Sequence, residues 1–395
     1  MKTETETVAV KEKEIEPSLL AAEWLLHSGI QNEDPDPRTK GGVNAWYDFN
    51  TDTRPFLYSE ITGYAINAYL FFHAVTKDNA YLERAQWAGE WVIRNAHGVT
   101  GLMLTRLYHE HAKQAYYDSW IFTFDQWMII FGLANLAKVA GDASYLEKAE
   151  LMAQFLIEHT LRKDGSMYPV YDLDGMKPAA SDDKWSRQSG SFHAKALMGL
   201  GRLYAMTHSE IYLKCAKRLA KAAVTDQERS GRFVTQANED STHLHPHLYS
   251  VEGLLWHGVT QKDEPSVKAA IRGLEWALEA VDERGVLYSF YKDKKFLPCE
   301  RADVMAQALR MGVIVRKRFQ GNPMLGKRLE LLRKKLLAYQ IKSKSQQGGF
   351  FYGQDQDGSI PYHANARVTM FAAQALWLYD HFELDGQPDD LSFFV

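Results

Sequence analysis

The chain has little that would cross-link it, anchor it in a membrane or cradle a phosphate. It contains two cysteines, Cys215 and Cys299, too few for a disulfide framework and without a CxxC pair. No apolar run approaches the ~18 residues that span a bilayer, and the longest, such as Trp127–Leu133, fall well short. The opening MKTETETVAVKEKEIEP alternates charge and lacks the apolar stretch of a secretory leader, so a cytoplasmic protein is expected. Lys and Arg total 46 against 50 Asp and Glu, a net charge of −4, which gives no basic face for nucleic acid. There is no GxxxxGKS or GxxxxGKT and no GxGxxG after a strand, so no nucleotide cofactor is expected. GxSxG and HExxH are also missing, which removes an esterase elbow and a helical zinc site.

What is present is a repeat. YLERAQWAGEWVIRNA from Tyr81, YLEKAELMAQFLIEHT from Tyr145 and YLKCAKRLAKAAVTD from Tyr212 carry apolar residues at i, i+3, i+4 and i+7 opposite a charged face. Weaker copies start at Ser266 and Leu325, and PSLLAAEWLLHSGI (Pro17–Ile30) supplies a sixth. Between them lie helices apolar around the whole circumference, over Ile61–Val75, Phe124–Ala140, Phe192–Thr207, His247–Val259, Ala302–Val315 and Arg367–Phe382. Such helices are buried on all sides. After each amphipathic helix a glycine precedes apolar and aromatic residues, as in GGVNAWY at Gly41, GVTGLML at Gly98 and GGFFYGQ at Gly348, a turn leading into a short strand. Six outer and six inner helices predict an all-α (α/α)6 toroid with short β-hairpins at one rim. It would fill residues 17–395 as a single domain, with 1–16 a disordered, charge-patterned segment. The tail DLSFFV is a candidate element for docking on a neighbour; no motif specifies an oligomeric state.

This alternation resembles the six-hairpin glycosidase superfamily. SEITGYAINAYL, SRQSGSFHAKALMGLGRLY, HLHPHLYSVEGLL, RADVMAQALRMG and RVTMFAAQALWLY look like a subgroup associated with bacterial polysaccharide and exopolysaccharide clusters. The resemblance implies action on a sugar, and by analogy only. The RGQ-type signature of unsaturated glucuronyl hydrolases is missing, as are the EGH-type and WWPQ-type signatures of N-acylglucosamine 2-epimerases.

In such a ring the loops leading into the inner helices converge on one end of the axis, where a pocket is expected. In ring order these lead-ins offer Tyr58 and Glu60; Asp118, Trp120 and Asp125; Trp185, Arg187 and His193; His243, His245, His247 and Glu252; Arg301 and Asp303; and Tyr352, His363, Asn365 and Arg367. Glu60 also suits the positive end of a helix dipole, and Asp118 would cap a helix beginning near Ser119. Asp125 would then share a face with Asp118 about 10 Å away. Asp125 and Glu252 sit in apolar stretches, FTFDQWMII and SVEGLL, where an unpaired carboxylate is costly. Each needs a pocket or a cationic partner. The alternating histidines of HLHPH do not make a metal centre if Pro246 starts a helix at His247, so no metal ligand is assigned. His109 and His111 read as surface loop residues.

Arg187, Arg301 and Arg367 suit an acidic sugar, or else neutralise neighbours such as Glu300 and Asp303. Trp46, Trp120, Trp185 and Tyr352 are candidates for stacking on pyranose rings, with core packing as the alternative. The expected function is a glycoside hydrolase-like enzyme acting on an oligo- or polysaccharide. The catalytic pair would be drawn from Asp125, Glu60 and Glu252, with His247 and His363 orienting substrate. Two alternatives stand beside it. One is a sugar epimerase or lyase using His or Tyr as base and Arg against the anion; the other is a non-catalytic glycan-binding protein.

Overall fold

The computed structural model describes residues 15–98, 100–109, 119–179, 184–319, 323–354, 357–381 and 391–395. Its helices alternate between two circles. The outer set is α1 (Pro17–His27), α3 (Asn79–Asn95), α5 (Ala143–His159), α7 (Glu210–Thr225), α9 (Glu264–Leu278) and α11 (Pro323–Leu337). The inner set is α2 (Ser59–Thr76), α4 (Thr123–Ala140), α6 (Ala196–Thr207), α8 (Leu244–Gln261), α10 (Ala302–Phe319) and α12 (Ala366–Asp380). Successive inner helices pack on one another, and α12 returns to α2, so the inner circle is closed.

The hairpins share a local code. At the ends of α2, α4, α6 and α8 the chain takes one left-handed residue, namely Lys77, Gly141, His208 and Lys262, and then the residue that precedes the next helix. In three of these turns that residue is an aspartate, Asp78, Asp142 or Asp263, whose side chain accepts from the first turn of the outer helix.

The rim glycines weld each repeat to the next. Gly41 has φ +93°, and a Cβ there would lie 2.2 Å from the Trp87 carbonyl oxygen on α3. Gly348 repeats this against Leu20 on α1, so the last repeat docks on the first. Two residues after the glycine, the rim backbone is pinned to the fourth residue of the following inner helix. Val43 N donates to Thr62 Oγ1, Met103 N to Gln126 Oε1, Phe233 N to His247 Nδ1 and Phe350 N to Thr369 Oγ1.

Short antiparallel strands line the same rim. They are β1 (Trp46–Asp48) with β10 (His363–Asn365), β2 (Phe56–Tyr58) with β3 (Arg106–Tyr108), and β4 (Trp120–Phe122) with β5 (Val170–Asp172) and β6 (Lys177–Pro178). The last sheet is β7 (Thr242–His243), β8 (Tyr288–Lys292) and β9 (Lys295–Glu300). The β1–β10 pairing, with Asp48 opposite His363, is a second seam between the early and late parts of the chain.

Four expectations change. Ser119 starts no helix, because the chain there runs into β4, whose pairing with β5 takes its backbone hydrogen bonds, and α4 begins at Thr123. The third inner helix is split, with Ser191–Lys195 a 3-10 turn before α6. α8 begins at Leu244 rather than His247 and holds Pro246 within its first turn, where a missing N–H costs nothing. The tail is not a free docking element: Leu391, Phe394 and Val395 are buried in the ring. Trp256, Arg202 and Gln374 donate to the carbonyls of Leu391, Ser392 and Phe393. Residues 1–14 and Asp118 lie outside the described residues.

Candidate functional site

Where β2, β4 and β7 run into α2, α4 and α8, the first turns of these helices face a common space. A cavity of about 130 Å³ lies there, lined by Tyr58, Glu60, Thr105, Arg106, Phe122, Phe124, Asp125, Lys184, Trp185, Ser186, Phe192, His245, Tyr249 and Arg367. Glu60 and Asp125 occupy the first turns of neighbouring inner helices, and the ring brings both to the cavity.

The two carboxylates are not equivalent. Asp125 is buried, and its Oδ2 has no hydrogen-bond partner. Burial, and then the charge of Glu60, push its carboxyl well above the usual range, against the pull of Arg106 and Arg367. Asp125 therefore holds a proton where an ordinary aspartate would not. Glu60 receives the Tyr249 hydroxyl on Oε1 at 3.4 Å.

One side of the cavity is a charge relay among α8, α10 and α12. Asp303 is gripped bidentately by Arg301, with Nη2 to Oδ2 at 2.6 Å and Nε to Oδ1 at 3.1 Å, while Arg367 Nη2 reaches Oδ2 at 3.3 Å. Burial alone would raise Asp303, but Arg301, His245 and Arg367 hold it well below the usual carboxylate range. Burial likewise opposes the charge on Arg367, yet Tyr249, Asp303 and Glu60 around it keep it charged. His245 Nδ1 donates to Gln307 Oε1 at 2.7 Å and lies 3.5 Å from Asp303 Oδ2, which leaves the lone pair on Nε2, buried and unpartnered. Burial pushes this imidazole well below its usual value, so it stands neutral.

Asp303→Asn is expected to lower stability by about 1–3 kcal/mol at pH 7, because a buried charged anchor between two partly buried guanidiniums is lost. A carboxyl held low in the fold contributes above the unfolded value, near pH 4, and the contribution disappears as pH falls below it. Denaturant titrations at pH 7 and pH 3 should therefore differ by more in the wild type than in the variant.

Of the residues singled out in the sequence, Glu60, Asp125, Tyr58, Trp185, His245 and Arg367 meet at the cavity. Others stand behind its walls. Arg301 lies over the Tyr352 ring at 4.9 Å, His363 stacks on Trp46 at 4.9 Å, and Asn365 caps α12 while its amide donates to His363. Burial pushes His363 down to about 4. Arg187 sits over Trp120, 5.9 Å from the ring centre. His193 is buried beside Phe192, and burial lowers it to about 3.

Two catalytic candidates are placed elsewhere. His247 accepts from Phe233 N and donates through Nε2 to the Gly273 carbonyl, doing for its repeat what Thr62, Gln126 and Thr369 do for theirs. It lies two residues from His245 and therefore on the opposite side of α8. Glu252 is on the His245 side but two turns deeper, ion-paired to Lys195 and Arg310. His109, expected in an exposed loop, is half-buried with Nε2 2.7 Å from Asn44 Oδ1, and His111 lies outside the described residues.

The sequence reading passed over Arg106, Tyr249 and the phenylalanines at 122, 124 and 192. A signal existed for Tyr249, four residues after His245 and so on its face of the helix; the rings touch at 4.4 Å. Arg106 is delivered by a returning strand, opposite Tyr58 in the β2–β3 pair, which a survey of helix lead-ins does not reach.

No family profile and no curated protein matches the chain. Solved structures do. The cellobiose 2-epimerase from Bacillus thermoamylovorans B4167 superposes with a TM-score of 0.73 at 12% identity, covering 90% of this chain and 98% of its own. A D-mannose isomerase gives 0.74 at 14% identity, covering 91% and 95%. An unsaturated glucuronyl hydrolase specific for heparin gives 0.67 at 12%, covering 94% and 98%. Among the described residues no helix is long and apolar enough to cross a membrane. At these identities the likeness is one of fold, and the shared fold is an (α/α)6 toroid.

Proposed function

We propose that the protein is a carbohydrate-active enzyme that cleaves a glycosidic bond by carboxylate acid/base catalysis, with Asp125 as proton donor and Glu60 as its partner. The observation that carries this reading is the pair itself: two carboxyl groups on one cavity, one of them kept protonated by burial and by the charge of the other. Glycoside hydrolysis needs that division of labour, one acid to protonate the leaving oxygen and one carboxylate to activate water or to attack. Trp185, Phe122 and Phe124 offer faces to a pyranose ring. Arg106, Lys184 and Arg367 bring three cations to the same space, which suits a sugar bearing a carboxylate.

A second reading rests on His245. A neutral imidazole with its lone pair on an unpartnered Nε2 at the cavity can take a proton from a sugar carbon beside a carbonyl, with Arg367 near the developing anion. One experiment separates the two: proton NMR in deuterated water with a panel of neutral and uronic oligosaccharides. New reducing-end anomeric signals are the expected result. Solvent deuterium at a sugar carbon without cleavage would sink the hydrolytic reading in favour of His245, and vinylic signals would mean elimination.

A further inference from the structure

Beneath the floor of the cavity lies a charge cluster that the proposed chemistry does not use. Lys195, in the 3-10 turn before α6, is 0% exposed, as is Arg310, and Glu252 is 1% exposed. Lys195 Nζ stands 2.8 Å from Glu252 Oε2, and Arg310 Nη2 bonds Oε1 at 2.5 Å. The segment Leu391–Val395 seals the cluster: the Val395 carbonyl accepts from Lys195 at 3.3 Å, and the Phe394 ring lies 4.1 Å from Arg310. Lys195 and Arg310 thus share the Glu252 carboxylate out of contact with solvent, and Lys195 also reaches the main-chain oxygen of Val395.

The Lys195 ammonium also reaches toward Glu60. Lys195 Nζ is 4.4 Å from the ring centre of Tyr249 and 4.6 Å from that of Tyr64, and the Tyr249 hydroxyl donates to Glu60. The cation holds the ring by its π face, and in so poorly solvated a place its field reaches Glu60 directly. Glu60 in turn favours the charged form of Lys195.

We propose that Lys195 is a positioning residue for the Glu60–Asp125 pair, fixing Tyr249 against Glu60 and setting one positive charge beneath the two carboxyl groups so that they share a single proton. This rests on the reading of the pair as acid and base. The lysine stem is flanked by the rings of Tyr64, Tyr249 and Phe371, and without its charge Glu252 still pairs with Arg310. Burial pushes the Lys195 amine down to about 8, with Glu252 resisting, so the charge is present at neutral pH and disappears in mild alkali. The other groups facing the pair are Tyr58 from β2, Tyr64 on α2, Arg106 from β3, Tyr249 from α8 and Arg367 from α12.

The test follows protons rather than turnover. Intact wild type, Lys195→Met and Lys195→Arg are labelled with ¹³C at the Asp and Glu carboxyls and titrated by NMR, the pair being assigned by the signals lost in Glu60→Gln and Asp125→Asn. In Lys195→Met the first proton should bind the pair about one pH unit higher, as expected for removing a nearby opposite charge. Arginine should restore the wild-type midpoint. Combining Lys195→Met with Tyr249→Phe should shift the midpoint by less than the sum of the single effects, since part of the action passes through Tyr249. If methionine does not fold, Lys195→Gln removes the charge while keeping a donor to Glu252. A pair that titrates as in wild type in whichever variant folds overturns the proposal. The readout needs no turnover, so a wild type inactive on every sugar would sink the hydrolytic reading and leave this titration decisive.

Discussion

Asp125→Asn is expected to lower kcat by about 10²–10⁴-fold on any sugar the wild type cleaves, with ligand affinity unchanged. Asparagine has the shape of the protonated acid it replaces. The Asp125 carboxyl makes no hydrogen bond through Oδ2 and holds its proton at a pH where an exposed aspartate is ionised. A neutral amide therefore enters the cavity with little change in field or packing, but it has no proton to give the leaving oxygen. Isothermal titration with the substrate would show retained binding, and initial rates would show lost turnover. Weakened binding with unchanged kcat would make Asp125 a substrate ligand instead of the acid.

The same substitution has a signature in stability. A carboxyl raised in the fold is protonated there while its unfolded counterpart is already ionised. Between the two values the native state binds more protons, and stability falls as pH rises. Removing the carboxyl removes that slope. Asp125→Asn should melt at least as high as wild type near neutrality, and the two curves should converge below about pH 4, where both states of the wild type are protonated. A melting temperature that falls instead would mean that Asp125 is an ionised, paired residue.

How much of this was legible in the sequence depends on which face of a helix carried the signal. The twelve helices could be read because their two faces differ in kind: YLERAQWAGEWVIRNA has a wet side and FDQWMIIFGLANLAKVA has none. Asp125 stood out as a carboxylate in the apolar stretch FTFDQWMII, and Glu60 as a carboxylate at the lead-in to an inner helix, although a helix dipole could also account for Glu60. Within HLHPHLYSVEGLL the reading failed, because residue type does not reveal angular position. His245 and Tyr249 look into the cavity, His247 faces the rim, and Glu252 sits two turns below. Aligning the repeats by their rim glycines would have placed His247 beside Thr62, Gln126 and Thr369, all acceptors for a rim N–H. Arg106 and the partners of Glu252 were beyond reach for a different reason. They come from a returning strand and from the inner elements on either side of α8, and only the packing of successive repeats brings them together.

Glu252→Leu is expected to cost about 3–5 kcal/mol, because it leaves Lys195 and Arg310 as like charges buried without their carboxylate. Arg310 keeps one bond to Gln374 and two aromatic faces but cannot shed its proton, whereas Lys195 can. The pH dependence follows. An amine lowered in the fold is neutral there while the unfolded amine is still charged, so the unfolded state binds more protons and stability rises with pH between the two values. Wild type should show that rise above about 8. In Glu252→Leu, with the resisting carboxylate gone, it should begin at lower pH, and the deficit should narrow as pH increases; denaturant titrations from pH 6 to 10 measure both. The triple variant Lys195→Met, Glu252→Leu, Arg310→Met should recover most of the loss, since apolar replacement of a buried ion cluster removes desolvation and attraction together. If it does, the cluster contributes little net stability, and its presence beneath Glu60 needs another reason. The carboxyl titration supplies the check: a triple variant as stable as wild type whose Glu60–Asp125 pair binds its first proton at higher pH would separate the charge from the packing and tie it to the site.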